Sequence, residues 1–407
     1  MNKLIVPIIV ALIIVIGIVG YFVLKPEAPA SQDISTFEEC VKAEGSIILE
    51  SYPRQCVTKD GKRFVEKVLE GKTLYILWTV HIEGDTQKMQ DDERCSKPNY
   101  QTDPLPSQYF GKFEIDLRGI EELQREAEKH KDSFGNNPKM HLSFAGEYFE
   151  TELDPNYGNK TFRKYNWLEL GHEIGIQSHA IYWSGKPYCW PMREFTPAGV
   201  IKKLTTLHEW AEKWFHDEKK VNAGLTYTPG VKLDKPIFGN DKAITERFLD
   251  RKASELGYRI AFEDWDGCIE DNPMPGQRPP YLYKAHYDDG TEMYKICFQG
   301  AVRSDCEEGS PRCESPQNAK RWINKLVELM NSDPNPDHLY YYAFATHSAN
   351  FYVGAMGKPS TEWEGTMQVL KYLDQLVAFG VKIEYITPKD FVALFEGQTS
   401  KFIIYYS

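Results

Sequence analysis

Two stretches of the chain combine a strand-like apolar run with chemistry at its end. Leu74-Tyr75-Ile76-Leu77-Trp78-Thr79-Val80-His81 is one. Gly171-His172-Glu173-Ile174-Gly175-Ile176-Gln177-Ser178-His179-Ala180-Ile181-Tyr182-Trp183 is the other. Strands that deliver His and carboxylate groups at their C-terminal ends are how barrel enzymes build active sites. Around them, apolar runs of strand length are predicted at 74–80, 140–145, 173–178, 223–227, 258–263, 340–346 and 381–386. Helical periodicity is predicted at 119–131, 197–215, 242–256, 316–331 and 361–379. In 242–256, Ile244, Phe248, Leu249 and Leu256 recur at helical spacing and Gly257 follows as a C-terminal cap. Strands that alternate with helices imply a parallel sheet, and about seven of them close economically into a distorted (β/α) barrel. The first turn carries no glycine-rich phosphate loop, which argues against a doubly wound nucleotide-binding fold.

The amino end has a different pattern. Leu4 to Leu24 is an uncharged run of 21 residues between Lys3 and Lys25. As a helix it spans roughly 30 Å, the thickness of a bilayer core. A cleaved signal peptide has an apolar region of only about 7–15 residues, although Ala28-Pro29-Ala30 mimics a cleavage site. Residues 1–25 are therefore expected to be a transmembrane signal anchor in the cell membrane, single-pass, with the C-terminal bulk extracytoplasmic. Residues 26–33 read as a linker. Residues 34–68 read as a small two-Cys module: Thr36 and Glu39 form a capping box, Ile47–Leu49 a strand, and Lys59-Asp60-Gly61-Lys62 a hairpin turn. The barrel is expected over 72–396. Within it, 266–316 breaks the rhythm with a Pro-rich stretch and a hairpin around Asp288-Asp289-Gly290, and reads as a disulfide-tied insertion over one rim.

Composition narrows the partners. Lys plus Arg total 48 against 59 Asp plus Glu, a net charge of −11, which excludes nucleic acid as a natural partner. Eight Cys without a Cys-x-x-Cys pair, outside the cytoplasm, point to disulfides. The expected pairs are Cys40–Cys56, Cys306–Cys313 and Cys268–Cys297. Asn159-Lys160-Thr161 is a glycosylation sequon suited to a surface loop.

Several segments resemble the polysaccharide deacetylase (NodB-homology) family, over about 72–396. Gly171-His172-Glu173-Ile174-Gly175 is similar to the run that precedes the family's metal-binding His motif. Phe344-Ala345-Thr346-His347-Ser348 on a penultimate strand, an amphipathic helix and Val381–Thr387 resemble the family's closing elements, and Leu256-Gly257-Tyr258 its entry to a strand. The resemblance implies a NodB-like barrel, a metal-dependent carbohydrate deacetylase activity and His347 as general acid. Departures are equally specific. His81 stands where the family places its first Asp, Gln177 where it places its first metal-site His, and Thr226–Gly230 lacks the family's Arg.

The residues permit a metal site by their own chemistry. His81 and Glu83 alternate on one strand and His179 ends another, a set of two imidazoles and one carboxylate that suits a divalent ion, zinc foremost. Asp264 would orient or activate His347, and Tyr182, Trp183 and Trp265 would stack on sugar rings. The expected function is membrane-anchored deacetylation of an envelope or extracellular glycan. Two alternatives are a catalytically inactive barrel that binds glycan or a partner, and a glycoside hydrolase using two carboxylates such as Glu83 and Asp264.

Overall fold

The computed structural model describes residues 34–49, 55–65, 72–82, 110–145, 167–177, 205, 208–209, 225–226, 242–264, 281–307, 314–348, 350–351, 360–398 and 403–406. The chain divides into two compact units, Met1–Lys67 and Val68–Ser407.

In the first unit, helix α1 (Phe37–Lys42) starts at Thr36, whose side chain accepts the Glu39 N–H while the Glu39 carboxylate accepts the Thr36 N–H. The expected capping box is therefore present. Strands β1 (Ile47–Leu49), β2 (Gln55–Val57) and β3 (Arg63–Val65) form an antiparallel sheet in that order. Its core is Phe37 with the Cys40–Cys56 disulfide, backed by Ile34 and Phe64. So little apolar area cannot hold about 30 residues without a covalent staple.

In the second unit, β4 (Leu74–Ile82), β5 (Met140–Ala145), β6 (Glu173–Gln177), β7 (Leu225–Thr226), β8 (Ile260–Asp264), β10 (Glu292–Ala301) and β11 (Tyr341–His347) pair side by side, every one parallel to its neighbour. β10 also pairs with β11, and that contact closes the ring into an α/β barrel. The hairpin expected as an insertion over the rim thus supplies a wall of the barrel through its second strand. Its first strand, β9 (Tyr283–Tyr287), lies outside the ring, antiparallel to β10. The strand expected at 381–386 is present as β12 (Ile383–Tyr385) but pairs with the start of β4, also outside the ring. A last strand, β13 (Ile403–Tyr406), adds to β9 and had no counterpart in the sequence reading.

Parallel strands covered on both faces need apolar residues at nearly every position. In β4 this is what occurs: Ile76, Trp78, Val80 and Ile82 are buried on one face, Leu77, Thr79 and His81 on the other. Leu77 belongs to the barrel core with Phe262, Tyr294, Ile296, Tyr341, Ala343 and Ala345. The rings of His141 and Phe262, from non-adjacent β5 and β8, stack 4.7 Å apart and so span that core.

The helices around the ring are α2 (Phe110–Ala127), α3 (Lys242–Glu255), α4 (Pro316–Ser332) and α5 (Thr361–Ala378). A short helix, α6 (Pro388–Glu396), contributes Phe391, Val392 and Phe395 to the core. Phe391 sits 5.1 Å from Tyr75 and 5.4 Å from Tyr341, at the N-terminal ends of β4 and β11, so α6 plugs that end of the barrel. Hydroxyl caps start three of these helices: Ser315 accepts from Asn318, Ser360 from Trp363 and Thr387 from Asp390. No helix among the described residues is long and apolar enough to cross a membrane. The anchor expected at 1–25 and the linker at 26–33 lie outside those residues.

Candidate active site at the C-terminal end of the barrel

β4 and β11 run in register over seven residue pairs, and the last of them is His347 opposite His81. Parallel pairing therefore carries two imidazoles to one end of the barrel, where their rings meet edge to face with centroids 5.4 Å apart. His81 is buried, with 5% of its surface exposed, whereas the His347 side chain is about one-third exposed at 34%. The nearby geometry is fixed by the outer face of the same two strands, where Trp78 Nε1–H donates to Thr346 Oγ1 at 3.0 Å and stacks on Phe344.

His347 is held from behind. Glu362, in the first turn of α5 and only 3% exposed, accepts the His347 backbone N–H and faces its Nδ1 at 3.1 and 3.2 Å. Its second oxygen accepts Asn350 Nδ2–H at 2.7 Å. A carboxylate against Nδ1 fixes the Nδ1–H tautomer and assigns proton chemistry at this ring to Nε2. The helix N-terminus around Glu362 favours its negative charge. One residue on, Ser348 Oγ–H donates to the buried Asp116 carboxylate of α2 at 2.6 Å. Two helices thus grip the turn that carries His347.

Asp264 is the last residue of β8, at the same end of the ring, with its backbone paired to Phe298. Glu83, His179, Tyr182, Trp183 and Trp265 lie outside the described residues. Among the described residues no group of three or more His, Cys, Asp or Glu has the arrangement to hold a metal. His81 alone of the expected ligand set is placed, at the mouth. The donor chemistry of the set still suits a zinc-like ion, since His81 sits at a strand end with Glu83 two residues further along the chain.

The sequence reading missed Glu362, Asn350 and Asp116. The signal for Glu362 was local but ambiguous: Ser360 caps a helix, which places an acidic residue in its first turn as a dipole partner. That it also reaches a histidine 15 residues earlier depends on the tertiary fold. A second buried imidazole, His141, lies one layer deeper, in register with Thr79 and Glu173 and 4.0 Å from the Glu173 carboxylate. Complete burial pushes its pKa down to about 3, so it is neutral in the folded protein. His172 is structural, its Nδ1 accepting the Met140 N–H at 3.1 Å, with its pKa pushed down to about 4 by burial and by the Lys139 charge.

No family model matches the sequence and no curated protein matches it, so the deacetylase resemblance stands on its motifs alone. Solved structures with similar folds include a GH57-type branching enzyme from the hyperthermophilic archaeon Pyrococcus horikoshii, at 11% identity and a TM-score of 0.40, covering 83% of this chain and 72% of that one. A GH57 branching enzyme from the hyperthermophilic archaeon Thermococcus kodakaraensis, in complex with glucose and additives, is similar at 12% identity and a TM-score of 0.38, with coverages of 83% and 73%. Puue allantoinase matches at 10% identity and a TM-score of 0.44, covering 81% of this chain and 93% of that one. At such values the likeness is remote, and no assignment of family or activity follows from it.

Proposed function

We propose that the chain is a membrane-anchored, extracytoplasmic hydrolase that removes acetyl groups from an envelope or extracellular glycan. The observation that carries this reading is the His81–His347 pair at the barrel mouth, with the buried Glu362 carboxylate behind His347. An imidazole whose Nδ1–H is fixed by a carboxylate is built to give or take a proton at Nε2. In this reading water adds to the acyl carbon, its proton passing to His347 Nε2, and that proton is then delivered to the departing sugar nitrogen as the acyl carbon–nitrogen bond breaks and acetate leaves. Asp264 orients or activates that imidazole, and Tyr182, Trp183 and Trp265 stack on the sugar. His81, Glu83 and His179 would hold a divalent ion, zinc by the character of its donors. When bound, that ion polarises the acyl oxygen and acidifies water.

The experiment uses the full chain in detergent with an acetylated chito-oligosaccharide. His347→Ala is expected to slow acetate release by ~10²-fold or more, and an unchanged rate removes the proposed acid. Elemental analysis is expected to find about one divalent ion per chain, as a site with three protein ligands requires. A chain that holds no ion after incubation with zinc, and releases no acetate, supports the second reading: a barrel that binds glycan without turning it over. The departures at His81, Gln177 and Thr226–Gly230 from the deacetylase pattern are what favour that alternative.

A further inference from the structure

Four large apolar side chains of the barrel unit stand exposed among the described residues: Phe134 at 57%, Leu170 at 50%, Phe379 at 49% and Leu394 at 41%. All four belong to segments at the N-terminal end of the ring, opposite the His81–His347 mouth. Phe134 precedes β5, Leu170 precedes β6, Phe379 precedes β12, and Leu394 lies on the plug helix α6. The segments touch one another. Ser133 is hydrogen-bonded to Val381 and Ile383 at 2.9–3.0 Å, Lys139 pairs with Asp390 at 3.8 Å, and the Lys389 N–H donates to Glu173 at 3.0 Å.

The exposure is held in place by the structure. The buried Asp132 carboxylate accepts the N–H groups of Phe134 and Asn136 at 2.8 Å each and that of Tyr385 at 3.2 Å. That turn fixes a phenyl ring outward. Among the same segments Lys131, Lys382 and Lys389 are exposed, in a chain whose net charge is −11. Their acidic neighbours are partly engaged: Asp132 is buried, and Asp390 faces Lys139. Glu128 and Glu169 remain exposed, and Glu384 is half-buried beside Lys139 and Asp390. Bulky apolar groups interspersed with lysines are the pattern of a surface that settles into the headgroup region of an anionic bilayer. The Leu4–Leu24 run in the same chain keeps such a surface close at hand.

We propose that the N-terminal end of the barrel rests on an anionic lipid surface and holds the His81–His347 mouth away from the membrane. This rests on the anchor reading, and the test separates the two. The full chain is reconstituted in vesicles of phosphatidylcholine and phosphatidylglycerol, with and without brominated acyl chains, as parent, Phe134→Trp and Phe379→Trp. After subtraction of the parent's emission, the added indole is expected to be quenched by brominated lipid, and less so in vesicles of phosphatidylcholine alone. A chain that co-floats with vesicles while the added indoles stay unquenched overturns the docking surface and leaves the anchor. A chain that does not co-float overturns both. Equal quenching without phosphatidylglycerol overturns the anionic requirement. Indoles shielded in lipid-free detergent, with the chain sedimenting as a dimer, assign the face to a second copy instead.

Discussion

Glu362 concentrates three hydrogen bonds on one buried carboxylate, two from His347 and one from Asn350. Glu362→Gln preserves shape but replaces one acceptor oxygen with an N–H₂ donor, so the His347 ring loses its fixed tautomer. Under the proposed activity acetate release is expected to fall ~10–100-fold, by analogy with the loss when a carboxylate that orients a metal-bound imidazole is removed. The ¹⁵N shifts of His347 should report a mixed tautomer, and Glu362→Asp should recover part of the rate. An unaltered His347 spectrum would show that the carboxylate does not position the ring. His141 and His172 supply a pH argument. Both have folded pKa values below the ordinary 6.5, at about 3 and about 4. Below pH 6.5 the unfolded chain takes up protons that the folded one refuses, so stability falls as pH drops from about 6.5 towards the folded values and is complete above. Each neutral imidazole costs on the order of 2 kcal/mol at pH 5. His141→Phe, which keeps a ring against Phe262, should therefore flatten the loss in urea midpoint between pH 7 and pH 5. An identical slope would place the acid sensitivity elsewhere. His81 and His347 were legible in the sequence because each ends a run of apolar residues, where a polar side chain has to face a rim. Glu362 and His141 were not, since their partners come from distant segments.

Among the elements, α2 and α5 show how closely helices approach the ring. A Cβ on Gly119 would lie 1.9 Å from the Ser348 carbonyl oxygen, and one on Gly365 would lie 2.4 Å from that of Val302. Gly119→Ala must push α2 away from the turn after β11, the turn that follows His347 and makes the Ser348–Asp116 hydrogen bond. Overpacking of this kind costs ~1–3 kcal/mol. Thermal unfolding should shift down accordingly, with lower acetate release from the variant even where it remains folded. The β9–β10 hairpin is fastened by a buried ion pair: Lys295 meets Asp250 of α3, and Tyr287 Oη–H donates to the same carboxylate at 2.5 Å. Lys295→Met leaves that carboxylate buried without its countercharge and should cost about 3–5 kcal/mol by chemical denaturation. A loss within experimental error would mean the pair is neutral to folding. The hairpin itself was evident from Asp288-Asp289-Gly290. Its place in the ring was not, because the Pro-rich stretch before it interrupts the strand–helix rhythm and because its partners β8 and β11 are set by tertiary pairing.

For the molecule as a whole, the alternation of apolar runs and helical periods was enough to reach a parallel α/β barrel. What the pattern could not order was the seam, since β12 and β10 are both plausible last strands and only packing chooses between them. The two compact units are held together differently. The first has a three-stranded sheet and a core built on one disulfide, with Cys40 and Cys56 separated by 16 residues. A closed loop of that size is worth ~3 kcal/mol, more than the rest of so small a core supplies. Cys40→Ser with Cys56→Ser should therefore unfold residues 34–65 while the barrel keeps its melting temperature. Hydrogen exchange resolved by segment would show it, and a common loss of protection would mean the two units fold as one. The aromatic plug formed by Phe391 has a kinetic outcome as well. Among the described residues the interior is packed from the His141–Phe262 stack down to that plug, so substrate and product of the proposed reaction would share the approach to the His347 end. Under the proposed activity, deacetylated sugar should accordingly compete with fresh glycan for that approach, and a polymer would be visited, released and revisited along its length.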